Sequence, residues 1–318
     1  MIKLSIIIPH FNSPLYLKRL LDSIPKSSEI QIIVIDDKSS LFLEEYELLK
    51  LKYEKSNVQF VDNDGPSKGA GASRNIGLAN AIGEWILFAD ADDYFVDGFI
   101  EEVSSYYNTD FDMVFFPPIS VFSDTGEISN RADEFVFLHN DYLKHKDLRT
   151  ELRLKYCRGS VCSKLVRSHL IIDNRLQFDE IQVSEDAMFS LKMSHNVKLF
   201  HASERTIYCI TDTKGSLTKT VSKELYYKRV EVFIEKYKFL KKELDPEKFD
   251  YLDLSGGFLL VLALEFRLSM LKTIKVFTWL RKEDVKIIPD KYRNPMSFFK
   301  KIVRKAQQIN KMRKYQSK

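Results

Sequence analysis

The chain has 318 residues, 44% of them hydrophobic and 13% aromatic, with 49 Lys+Arg against 45 Asp+Glu and a net charge of +4. That apolar content supports a packed core and excludes global disorder, and so small a charge excess is not that of a nucleic-acid wrapper. Residues 291–318 hold ten Lys/Arg and no acid, so the rest of the chain carries −6, an acidic body with a basic C-terminal tail.

Residues 4–8 are a β-branched run ending at Pro9, the pattern of a buried strand. Residues 14–24 have helical spacing, with Leu17, Leu20, Leu21 and Ile24 on one face, Ser13 as the expected N-cap and Pro14 in the first turn. A second buried strand over 30–35 stops at Asp36 and Asp37. A helix over 41–53, a strand over 58–61 and a loop over 62–69 follow. Small residues mark a helix over 70–82, ended by Gly83, before a strand over 85–89, a turn through Asp90, Ala91, Asp92 and Asp93, a helix begun by Asp97 and a strand over 113–116. Strands and helices in alternation, with nearly continuous apolar strands, predict an α/β fold whose mostly parallel sheet is covered on both faces. Ligands bind such sheets beyond the carboxyl ends of the strands, so residues 9–12, 36–37 and 90–93 are expected to share one rim.

Residues 117–160 carry no regular pattern, a helix is expected over 185–194, residues 200–210 read as strand, and the chain is helical from 223 through 279. The cysteines, Cys157, Cys162 and Cys209, are odd in number and include no CxxC pair, which argues against a disulfide framework or a zinc site and for reduced thiols in the cytosol. Met1, Ile2 and Lys3 lead straight into a strand without a small-residue cleavage site, so no signal peptide is expected. The best apolar run, 258–264, is broken by Glu265 and Arg267 and is too short to span a bilayer. The tail places apolar residues 296, 299, 302, 303, 306, 309 and 312 at helical spacing among lysines and arginines. That is an amphipathic pattern suited equally to an anionic membrane or to docking on the body.

Several clusters can carry chemistry. On an extended backbone Asp90 and Asp92 point to one side and could hold a hard divalent cation, although an acidic turn reads the same way. A carboxylate at Asp36 or Asp37 can accept from a nucleobase imide or a ribose hydroxyl, or cap the following helix. Residues 65–75 form a glycine-rich lead-in to a helix carrying Arg74, a setting that favours an anion. It has no Gly-Lys-Ser/Thr of a P-loop, and the first strand-to-helix turn has no glycine, which sets aside a dinucleotide fingerprint. Glu185 and Asp186 open a helix, where acids complement the helix dipole, or where Asp186 could act as a general base. His10 lies on the rim, the other five histidines show no ligand spacing, and Phe11 can stack on a base or pack.

These clusters, in this order, resemble glycosyltransferase family 2, the inverting enzymes of GT-A fold. The resemblance rests on Ser5 to Pro9 with Phe11 and Asn12, on Ile33 to Asp37, on Ala72 to Gly77, on Phe88 to Asp93, and on Glu185 and Asp186 with Phe189, and it covers roughly residues 3–210. It implies a GT-A domain over 1–215, with a nucleotide-binding half over 1–116 and an acceptor half over 117–215, then a helical region over 216–290 and the tail over 291–318. It implies that Phe11 and Asp37 hold the base, usually uracil, with Pro9, Asn12, Arg74, Asp90 and Ala91 completing the nucleotide-sugar site. Asp92, with Asp90, would hold Mn²⁺ or Mg²⁺, and Asp186, with Glu185 beside it, would deprotonate the acceptor hydroxyl. Lys164, Leu165 and Arg167 match a stretch common before that pair. Three departures stand out: Lys38 and Ser39 where Gly-Ser is usual, His10 in place of a small or aliphatic residue, and Cys162 and Ser163 where Trp-Asn is frequent.

The implied function is transfer of one sugar per turnover from a UDP-linked donor to a glycan or lipid-linked glycan of capsule, O-antigen or lipo-oligosaccharide. The implied setting is the cytoplasm, at the inner face of the membrane through the tail, with no nucleic-acid partner. A catalytically inactive sugar-nucleotide-binding protein and a sugar nucleotidyltransferase are the alternatives. The intact acidic set argues against the first, and the glycine-free first turn against the second.

Overall fold

The computed structural model describes residues 1–213 and 222–289. The chain divides into two units, Met1–Ser216 and Leu217–Lys318. Among the described residues the first unit runs β1 (Leu4–His10), α1 (Pro14–Asp22), β2 (Ile30–Asp36), α2 (Leu43–Tyr53), β3 (Val58–Asp62), α3 (Ala70–Asn80), β4 (Trp85–Phe88), β5 (Tyr94–Phe95), α4 (Phe99–Ser104), β6 (Met113–Phe115) and β7 (Ile119–Phe122). It continues through α5 (Asp133–His145), α6 (Leu148–Cys157), β8 (Lys164–Arg167), α7 (Ser168–Asp173), α8 (Glu185–Asn196), β9 (Phe200–Ala202) and β10 (Tyr208–Asp212).

A seven-stranded sheet has the order β3-β2-β1-β4-β8-β6-β9, and a three-stranded one the order β5-β10-β7. β3, β2, β1 and β4 are mutually parallel and β6 is parallel to β9, while β8 runs antiparallel to both its neighbours. β2 is buried along its whole length, and β1 everywhere but Pro9, which is why both strands are apolar at odd and even positions alike. The polar exceptions pair with each other. Ser5 Oγ donates to Gln31 Oε1 (2.6 Å), and Gln31 Nε2 donates to Gln59 Oε1 (2.9 Å) and to the carbonyl of Asn80 at the end of α3 (3.0 Å). A buried polar ladder of this kind costs little when every member has a partner.

The small residues of α3 let it lie against the sheet. A Cβ on Gly77 would sit 2.3 Å from Ile7 Cγ2 and 3.0 Å from Ile35 Cδ1, and one on Gly71 would sit 2.2 Å from the Asp179 carbonyl oxygen. Close approach, rather than loop flexibility, accounts for these two glycines.

Four local expectations give way to tertiary structure. Ser13 makes no side-chain cap; its N–H instead donates to His10 Nε2 (3.2 Å). α4 begins at Phe99 after Gly98 in the left-handed region (φ 78°), not at Asp97. Residues 200–210 are not one strand but belong to β9 and β10, in different sheets, because the segment between them crosses from one sheet to the other. Residues 117–160, patternless in sequence, supply β7, α5 and α6.

In the second unit the expected helical region consists of α9 (Lys223–Glu243), α10 (Pro246–Tyr251), α11 (Gly257–Glu265) and α12 (Met270–Lys282). Pro246 sits in the first turn of α10, where a missing N–H costs no helical bond. Tyr226, Val230, Leu259, Ala263, Val276 and Leu280 form this unit's own core, and Tyr226 Oη donates to the Leu259 carbonyl (2.9 Å). No helix among the described residues is long and apolar enough to cross a membrane. The amphipathic tail expected over 296–312 lies outside the described residues.

The Gly77 contact predicts that Gly77→Ala destabilises the first unit by about 1–3 kcal/mol through overpacking against Ile7. Gly159→Ala, where an added Cβ meets nothing within 4 Å, should change stability by less than about 0.5 kcal/mol. Urea unfolding of the two variants side by side checks the contrast.

Candidate active site

The rim is built where β1, β2 and β4 end. At the end of β1, the buried His10 stacks on Tyr46 (ring centroids 4.6 Å apart) and bonds Asp36 Oδ1 through Nδ1 (2.8 Å). Because Nε2 accepts from the Ser13 N–H, the ring proton sits on Nδ1 and is donated to Asp36. Burial tends to raise the Asp36 pKa, but the bonds from His10 and from Ser39 (Oγ 2.6 Å, N–H 2.9 Å) outweigh it and hold the carboxyl below its ordinary range. Asp36 thus caps a turn through Ser39, not the helix after it; the residue preceding α2 is Phe42. Lys38 stands in the left-handed region (φ 61°), the conformation that glycine takes freely, and its Nζ donates to the Gly65 carbonyl (2.5 Å).

Asp37 is buried and points the other way. It accepts from the Gly69 N–H (2.7 Å) and from Asn63 Nδ2 (2.7 Å), so it organises the 63–69 loop at the edge of the rim. Phe11 is half exposed, with Lys68 Nζ 5.3 Å from its ring centre. Asn12 Oδ1 accepts from the N–H groups of Ser40 and Leu41, which ties the first strand-to-helix turn to the second. Pro9 lies within β1, and Ala91 is buried.

Asp90 to Asp93 are not extended. The Asp93 N–H donates to the Asp90 carbonyl (3.0 Å), closing a tight turn, so the turn and not strand alternation sets the two carboxylates. The turn is clamped from outside. Tyr208 Oη accepts from the Asp90 N–H (2.8 Å) and hydrogen-bonds Asp93. The Thr211 N–H donates to Asp93 (2.7 Å), and Arg19 Nη2 and Thr211 Oγ1 both donate to the Asp92 carbonyl. Burial, and next the neighbouring Asp92 and Asp90, push the Asp93 carboxyl well up. Burial and then Asp90 raise that of Asp92, to which no side chain among the described residues is hydrogen-bonded.

Behind this turn lies Arg74 of α3, 3% exposed. Its Nη2 meets Asp90 Oδ1 at 2.6 Å and its Nη1 meets Glu185 Oε1 at 2.8 Å. Burial alone would lower the guanidinium pKa, and the two carboxylates more than reverse it. Arg74 therefore joins the turn after β4 to the first turn of α8. Asp186 follows Glu185 there, after Ser184 in the left-handed region (φ 59°). Burial, and next the Glu185 charge, push the Asp186 carboxyl up to about 7, against the pull of Arg74 and Lys164. No donor among the described residues is hydrogen-bonded to that carboxylate.

The donor set fits a hard divalent cation. Asp90 is part-exposed and Asp92 carries an anion that burial and its neighbour disfavour, so an oxygen-seeking cation would relieve a real excess of negative charge. Among the described residues no three His, Cys, Asp or Glu side chains stand together as a complete metal cage. Two carboxylates at the edge of a nucleotide site leave positions that phosphate oxygens can fill.

Asp90, Asp92, Arg74, Glu185 and Asp186, read separately along the sequence, come together through these contacts. Sequence reasoning misses Asn63, Tyr208, Thr211 and Arg19. Tyr208 and Thr211 sit in an apolar run that signals only a strand, and nothing local to Arg19 points to a turn more than 70 residues away. Cys162 is buried beside Asp90, and burial first, that carboxylate second, raise its thiol far above the reactive range.

This fold is the GT-A fold of glycosyltransferases. The family model for glycosyl transferase family 2 matches residues 5–171, and the chain belongs to that family. It is 26% identical over 245 residues to the poly(ribitol-phosphate) beta-N-acetylglucosaminyltransferase TarS of Staphylococcus aureus, an alignment that covers 71% of this chain and 39% of TarS. The chain thus spans about two-fifths of that relative's length. Residues 1–349 of TarS, solved with UDP-GlcNAc, superpose with a TM-score of 0.61 at 23% identity, covering 83% of this chain and 73% of that one. A mannosyltransferase from Pyrobaculum calidifontis, solved with GDP-Man and Mn²⁺, superposes with a TM-score of 0.55 at 14% identity, covering 96% and 86%. At these identities the two structures speak for the fold.

The raised Asp186 pKa has a stability consequence. The folded protein keeps this proton up to about pH 7, while the unfolded chain releases it near pH 4, so folded-state stability falls as pH rises through that window. Asp186→Asn should therefore gain stability over wild type across about pH 4–7 and hold the gain above it. Urea unfolding at pH 5 and pH 8 reads this, and an equal difference at both pH values would contradict it.

Proposed function

We propose that this chain is a metal-dependent inverting transferase that moves one sugar from a UDP-linked donor to a hydroxyl of a bacterial cell-surface polymer or lipid-linked glycan. The observation that carries the reading is the placement of Asp186, free of hydrogen-bond donors among the described residues and tied through Glu185 and Arg74 to the Asp90 turn, where burial pushes its carboxyl up to about 7. A general base works best when its pKa lies near the working pH. The family and the TarS relationship support the sugar-transfer class and a UDP-sugar, and the relative's poly(ribitol-phosphate) acceptor points toward polyol-phosphate polymers.

In this reading Phe11 stacks on the base at the rim, and Asp37 with Asn63 shapes the edge where an imide N–H would bond. Asp90 and Asp92 would hold a divalent cation, which would supply positive charge to the departing diphosphate. Asp186 takes the proton of the acceptor hydroxyl as its oxygen bonds the anomeric carbon and the bond to the diphosphate breaks on the opposite face. One displacement inverts the anomeric centre, and no covalent sugar–enzyme species forms. The ten basic residues of 291–318 would attract an anionic lipid or polymer surface, an interaction that weakens with salt.

The test is a transfer assay over a panel of UDP-sugars with a polyol-phosphate or glycan acceptor, with Mn²⁺ and with EDTA, and with NMR of the product anomer. Asp186→Asn should keep donor binding by calorimetry and lose transfer by at least about 100-fold. The kcat/KM of the parent should fall below about pH 7 as Asp186 takes its proton. Asp92→Asn should abolish the difference between Mn²⁺ and EDTA. Full transfer by Asp186→Asn would return Asp186 to a helix-start role.

A further inference from the structure

At the start of β8, Lys164 is completely buried, an unusual place for an ammonium. Its Nζ donates to Ser190 Oγ (2.7 Å) and to the carbonyl of Arg158 after α6 (3.0 Å), and it lies 5.5 Å from the Phe115 ring centre. Ser190 Oγ donates to the same Arg158 carbonyl (3.3 Å), closing a triangle among β8, α6 and α8. A buried ammonium is costly unless hydrogen bonds and nearby negative charge offset its lost hydration. The Arg158 side chain makes the need sharper: it is equally buried, its guanidinium donates to the carbonyls of Phe116 and Ser163, and burial pushes its pKa down to about 9.

Ser190 stands four residues after Asp186 on α8, so the two share a helix face one turn apart. The charged groups around Asp186 are Glu185 on its own helix, Arg74 from α3, Asp90 from the loop after β4, and Lys164 from β8. Two are carboxylates and repel it. Of the two cations, Arg74 bonds Asp90 and Glu185, and Lys164 reaches α8 through Ser190. We propose that Lys164 is a positioning residue of the transfer reaction: anchored through Ser190 one turn below Asp186, its charge keeps that carboxylate ionised and facing the acceptor. The proposal rests on the reading of Asp186 as base.

The test follows the Asp186 carboxyl directly by 13C NMR titration, with its signal assigned by its loss in Asp186→Asn, so that no donor or acceptor is needed. Lys164→Met should move the midpoint up by about one pH unit. Lys164→Gln, which keeps a donor for Ser190 and the Arg158 carbonyl and so guards against a folding failure, should move it equally. Ser190→Ala, which leaves the charge in place, should move it far less. In the transfer assay the acid limb of kcat/KM should shift with the midpoint in the two Lys164 variants while donor KM stays unchanged. An unmoved midpoint in a folded Lys164 variant overturns the proposal, as does an equal shift in Ser190→Ala. Separately, a shifted midpoint together with full transfer by Asp186→Asn would sink the base assignment and leave the charge contact standing.

Discussion

Arg74 carries a positive charge to a place water barely reaches, and two carboxylates from opposite sides of the site meet it there. One, Asp90, lies in the turn after β4 at the rim, and the other, Glu185, opens the helix that bears Asp186. A buried guanidinium without partners would be strongly destabilising, so the two ends must come together for the fold to close around it. The glycines of α3 make this possible. With any side chain at Gly71 or Gly77 the helix could not lie close enough to the sheet and to residue 179 to bring Arg74 so deep. Backbone packing, a buried charge and the placement of Asp186 are thus one constraint.

Negative charge is the second organising feature. Within four residues the rim gathers Asp90, Asp92 and Asp93, and each is treated differently. Asp90 is paired with Arg74. Asp93 is buried and hydrogen-bonded by Tyr208 and Thr211, fixing the small sheet to the large one. Asp92 is left with a carboxyl that burial and Asp90 disfavour as an anion, the condition in which a divalent cation adds most. A parallel division holds at Asp36 and Asp37. The first is spent on His10 and its own turn, the second on shaping the loop from Asn63 to Gly69. Adjacent acids of identical type therefore divide into scaffold and site according to which face of the backbone they leave.

Much of the first unit is legible in the residues alone. Its early strands are long β-branched runs, its helices alternate with them, and the three segments of the rim all follow strands, so residues 9–12, 36–37 and 90–93 meet as expected. The errors cluster where tertiary contacts outweigh local signals. Ser13 makes no cap and instead gives its own N–H to the His10 ring, and the D-x-D geometry is set by a turn clamped from β10 rather than by strand alternation. Residues 200–210 look uniform yet serve two sheets.

Local patterning is enough to set the α/β architecture, the order of the elements along the rim and the kinds of side chain gathered there, because burial on both sheet faces leaves an apolar trace and a polar cluster after a strand has one place to go. Which of those side chains are spoken for depends on contacts between distant parts of the chain. Arg74 and Glu185 are 111 residues apart, Asp90 and Tyr208 118, and Lys164 and Ser190 26. Local periodicity reports which face of an element is buried but not what it is buried against, and the Asp186 carboxyl is raised first by burial and then by Glu185 beside it, against the pull of Arg74 and Lys164 from distant parts of the chain.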